Sequence, residues 1–84
     1  MTTEESCGGM IIHGLARYAE TYRKRNETRR GEDFLVTYID EKNREFSESF
    51  FLGFPECETA ELDYQLLRAG ERIRAQLKTA EVQQ

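Results

Sequence analysis

A chain of 84 residues makes one domain, near the size at which a single hydrophobic core is only just sufficient. Apolar residues are 38% and charged residues 33%, which leaves one modest core and little room for a buried catalytic cleft. The formal charge of −4 argues against a general nucleic-acid or membrane binder, and five Phe argue against wholesale disorder.

Charge is distributed in blocks. Arg17, Arg23, Lys24, Arg25, Arg29 and Arg30 are accompanied by only Glu20 and Glu27, whereas the stretch from Asp40 to Asp63 is acidic apart from Lys42 and Arg44. The N-terminal residues Met1 to Ser6 lack the positive start of a secretory signal, and Met10-Ile11-Ile12 is broken by His13 and Gly14. A cytoplasmic location with free thiols at Cys7 and Cys57 is the corresponding expectation.

Residues 1–8 read as a flexible arm, 9–80 as a single α+β domain and 81–84 as a frayed tail. From Met10, the spacing of Ile11, Ile12, Leu15, Ala16, Ala19 and Tyr22 at three and four residues predicts a helix over 10–28, closed by Arg29-Arg30-Gly31. Phe34-Leu35-Val36-Thr37-Tyr38-Ile39 is β-branched and aromatic throughout, and Arg44 to Leu52 returns as its partner, predicting a hairpin over 33–52.

Alternation selects the hairpin register. Pairing Tyr38 with Phe46, Val36 with Glu48 and Phe34 with Phe50 gathers the large apolar groups on one face, and requires a three-residue loop with Asn43 in the left-handed conformation. The other face then carries Leu35, Thr37, Ile39, Ser47, Ser49 and Phe51, beside Glu45. Thr59 is a plausible N-cap for a second helix over 59–79, with Leu62, Leu66, Ala69, Ile73 and Leu77 as its stripe, widened by Leu67 and Gly70. The predicted fold is therefore α+β, helix–β-hairpin–helix (αββα), with a two-stranded antiparallel sheet.

Chemistry is sparsely signalled. A Cys7–His13 pair has no orienting third group, and Cys7, His13 and Cys57 lack the spacing that organises zinc. No catalytic residue, metal or cofactor is expected. Glu48 is the one acid placed on an apolar face, where a neighbouring arginine at the sheet rim accounts for it.

Two functional readings remain. The favoured one is a small non-enzymatic protein-interaction module, a regulator, adaptor or inhibitor of a larger protein, which also admits a homodimer. Its contact surface is the outer hairpin face of Leu35, Thr37, Ile39, Ser47, Ser49 and Phe51, because apolar groups among small polar ones beside open strand edges mark interfaces. The alternative is nucleic-acid or acidic-partner binding through Arg23, Lys24, Arg25, Arg29 and Arg30, whose charges suit phosphates.

Overall fold

The computed structural model describes residues 19–82, together with Glu5–Ser6 as a short strand. Its elements are β1 (Glu5–Ser6), β2 (Ala19–Asn26), β3 (Gly31–Ile39), β4 (Glu45–Gly53), a single 3₁₀ turn (Glu56–Glu58) and α1 (Ala60–Val82). The order is a three-stranded antiparallel meander followed by one C-terminal helix, with β1 paired only to Lys24 and Arg23 at the outer side of β2.

This corrects the αββα expectation. Ala19–Asn26 is a strand rather than the end of a helix, and the sheet has three long strands rather than two. Met10 to Tyr18, the rest of the expected helix, lie outside the described residues, as do most of the expected arm and Gln83–Gln84. Ala19 and Tyr22, three apart, would share one stripe of a helix; in the strand they face opposite sides. Ala19 and Thr21 are buried, whereas Glu20, Tyr22 and Lys24 are exposed, which is the period-two pattern of a strand. The Arg29-Arg30-Gly31 stop ends a four-residue turn instead of a helix, with Arg30 left-handed at φ 59°.

The hairpin itself is as read. Phe34 pairs with Phe50, Val36 with Glu48 and Tyr38 with Phe46. Asp40 N–H donates to the Arg44 carbonyl at 3.0 Å and Asn43 N–H to the Asp40 carbonyl at 3.0 Å, enclosing a three-residue loop with Asn43 at φ 66°. The Asp40 carboxylate accepts N–H bonds from Lys42 and Arg44 and an Nε bond from the Arg44 side chain at 2.8 Å. Burial would raise its pKa, but these donors outweigh that cost and hold the carboxyl below the usual range.

One face of the sheet carries the core. Phe34, Val36 and Leu52 are buried against Leu62, Leu66, Ala69 and Ile73 of α1, with Tyr38, Phe46, Phe50 and Leu77 packed around them. Phe34 and Phe50 stack with centroids 4.9 Å apart. Thr59 caps α1, its Oγ1 accepting the Glu61 N–H at 3.2 Å. Gly70 joins the buried stripe as expected; Leu67 does not, remaining 42% exposed. The helix also continues past residue 79 to Val82, so residues 81 and 82 of the expected frayed tail are helical. Glu48 on the inner face meets α1, where Arg72 Nε donates to it at 3.0 Å and Gln76 Nε2 donates to its other oxygen.

Candidate binding face

The opposite face of the sheet is built in rows across the three strands. Tyr22, Leu35 and Ser49 form one row; Lys24, Asp33 and Phe51 form the next; Glu20, Thr37 and Ser47 lie on the other side of the first. No helix of the described residues covers this face, and Leu35 and Ile39 are 45% and 38% exposed on it. An open concavity of about 700 Å³ lies across two of the rows, bordered on this face by Tyr22, Lys24, Arg29, Asp33, Leu35, Ser49 and Phe51.

Gly31 shapes one end of this depression. A methyl group there would strike the Leu52 carbonyl oxygen, the Phe51 ring and the Gly53 backbone. The Phe51 ring therefore lies across Gly31, and the Arg29 guanidinium caps that ring 3.9 Å from its centroid. Arg29 is also 3.6 Å from Asp33, whose other oxygen accepts the Asn26 amide at 2.9 Å. These contacts do not involve Lys24, whose cross-strand neighbours are Glu5 and Asp33 and which has no ion pair among residues 19–82.

The sequence candidates are partly united and partly divided. Leu35, Ser49 and Phe51 of the expected partner face border the concavity, while Thr37, Ile39 and Ser47 extend the same face beyond it. The basic segment, by contrast, does not act as one surface, because a strand sends successive side chains to opposite sides. Arg23 points to the inner face, where Nε and Nη2 donate to Glu32 at 2.8 and 2.6 Å and Nη2 reaches Glu58 at 3.4 Å. Arg25 lies 5.3 Å over the Phe54 ring, and Arg30 occupies the turn. Burial opposes the charge on Arg23, but Glu32 and Glu58 outweigh it and raise its pKa. Its contribution is thus to neutralise Glu32, itself only 8% exposed.

The principal member missed from the sequence is Tyr22. Thr21-Tyr22, flanked by the alternating Ala19-Glu20, was the signal available, but the longer apolar spacing upstream outweighed it. Tyr22 donates its hydroxyl to Glu20 at 3.0 Å along the strand.

No group of acids, cysteines or histidines among the described residues could hold a metal, and Cys7 and His13 lie outside them. Cys57 is a buried free thiol in the 3₁₀ turn. Burial pushes its pKa up, with the Glu32 and Glu58 charges adding to that effect against Arg23. The thiol therefore stays protonated at neutral pH and is poorly nucleophilic. In a Cys7→Ser background, an aromatic disulfide reagent should label Cys57 only at the rate at which the domain opens; rapid labelling of the folded protein would contradict this burial.

The chain matches no protein-family model, and comparison with curated proteins and with solved structures returns no match. No helix among the described residues is long and apolar enough to cross a membrane.

Proposed function

We propose that this protein is a non-enzymatic protein-interaction module that receives a partner segment on the outer face of its sheet. The observation that carries the reading is the concavity in which apolar Leu35 and Phe51 adjoin the cation Lys24. Such a surface fits an apolar side chain next to a carboxylate: the first removes apolar area from water, and the second gains an ion pair and orientation. A role as regulator, adaptor or inhibitor is consistent with a surface that binds without a reactive group in it.

Nucleic acid is the weaker reading for the same face. Glu20, Asp33 and Glu45 share it and oppose a run of phosphates more than a single carboxylate set against Lys24, and Arg29 already covers one side of the Phe51 ring on which a base would stack. The splitting of the basic segment between the two sheet faces and the turn also lowers the number of phosphates it can meet together.

A displayed random-peptide library tests the proposal. Wild type should enrich peptides pairing a large apolar residue with Asp or Glu. Leu35→Glu and Lys24→Glu should each reduce affinity for those peptides at least about tenfold, a loss of about 1.4 kcal/mol. Circular dichroism should remain unchanged, since both side chains are exposed. No enrichment, or enrichment indifferent to both substitutions, refutes it. Salt-sensitive binding of single-stranded oligonucleotides that Lys24→Glu abolishes would transfer the face to the alternative.

A further inference from the structure

The free edge of β4 presents a separate opportunity. Asp40 N–H donates to the Arg44 carbonyl and Phe54 N–H to the Arg30 carbonyl, at 3.0 and 3.1 Å, one pair beyond each end of the β3–β4 ladder. The nine-residue register between them runs without a break. Hydrogen-bonded and non-hydrogen-bonded pairs alternate in such a ladder, so the even-numbered residues of β4 bond to β3. Glu45, Ser47, Ser49 and Phe51 consequently direct their N–H and C=O groups away from it. No strand of the described residues takes up those groups.

Exposed edges are ordinarily blunted by lysine, proline, a bulge or shortness. This edge has no lysine, proline or bulge and is not short: β4 is nine residues, Glu-Phe-Ser-Glu-Ser-Phe-Phe-Leu-Gly, in regular register, and its one inward-facing charge, Glu48, is already paired with Arg72 of α1. Its two serines also leave the strand open to close approach. Beside it, Phe46, Ala75, Gln76, Thr79 and Ala80 border an open groove of about 410 Å³. Only β4 and α1 contribute to that groove, which places it on the side of β4 away from β3.

We infer that a second copy of this chain occupies the edge, its β4 pairing antiparallel with the first about a two-fold axis at Ser49. The strand's own sequence argues for this occupant. Ser49 is the midpoint of β4, so self-pairing there satisfies the whole edge in one register. Ser47 then faces Phe51 of the second copy, a small residue against a large one. Phe46 faces Leu52 of the second copy on the inner face, an apolar pair. Glu45 faces Gly53 and Glu48 faces Phe50, so no like charges stand directly opposite. The Arg72–Glu48 pairs of both copies approach the axis together as two cations and two anions. The product is a continuous sheet, with the outer concavities of both copies on one surface.

Sedimentation equilibrium and amide exchange test this. Wild type should dimerise, with the Ser47, Ser49 and Phe51 amides becoming protected as concentration rises. Ser47→Pro removes an N–H that β3 does not use, and should weaken the dimer at least about tenfold while retaining the wild-type circular dichroism. Should that variant fail to fold, Ser49→Lys, which brings two ammonium groups to the axis, must give the same weakening. A wild type that stays monomeric up to about 1 mM overturns the inference. So does a dimer whose three edge amides exchange freely, or one that Ser49→Lys leaves intact.

Discussion

Phe34→Ala is expected to unfold a large fraction of the protein, at a cost of about 3–5 kcal/mol. Phe34 is 1% exposed on the central strand, stacked on Phe50 and facing the α1 stripe, and Arg23 lies 5.5 Å over its ring. Removing the ring takes away its transfer free energy and leaves a cavity that β3, held on both sides by backbone ladders, cannot collapse to fill. It also removes apolar cover beside the Arg23–Glu32 pair. A total stability of about 5–15 kcal/mol is usual for domains, and one this small belongs near the lower end. Denaturant titration followed by far-ultraviolet dichroism measures the effect. A midpoint within experimental error of wild type would mean that Phe34 is not in the core.

Gly31→Ala should rival it, through overpacking rather than a void. The added methyl meets the Leu52 carbonyl oxygen and the Gly53 Cα, which are backbone atoms, as well as the Phe51 ring. A flexible side chain could swing aside; the backbone of β4 can yield only if the pairing of β3 with β4 gives way. The cost should be at least about 3 kcal/mol, at the upper end for overpacking. Because Phe51 is displaced as well, Arg29 loses its stacking surface. The variant should therefore lose peptide binding at the outer concavity even under conditions where it remains folded. Comparing its melt with that of Gly53→Ala, where a methyl meets only the Arg30 carbonyl oxygen at 3.7 Å, isolates the effect. Equal melting temperatures for the two would refute the close approach.

Much of the architecture was legible because it is encoded locally. The apolar stripe from Leu62 to Ile73 and the cap at Thr59 specify α1 without reference to any other element. Phe34 to Ile39 can bury one face only as a strand, and the aromatic positions of β4 allow one pairing register, with Asn43 closing the loop. The outer-face residues Leu35, Ser49 and Phe51 followed from that same register.

Tertiary pairing decided the rest. Ala19–Asn26 has a weak intrinsic preference, with charged residues at half of its positions, and becomes a strand because β3 offers it an unsatisfied backbone edge. That pairing cannot be seen in a window of local periodicity. Its consequences extend to the candidate site: β2 turns Arg23 inward to Glu32, turns Tyr22 and Lys24 outward beside Leu35, and so divides a basic segment that looks continuous along the chain. Composition and period determined the hairpin, the helix and the apolar faces of both. Which charges meet which apolar groups on the outer face depended on a third strand, because only cross-strand neighbours bring residues distant in the chain into one row.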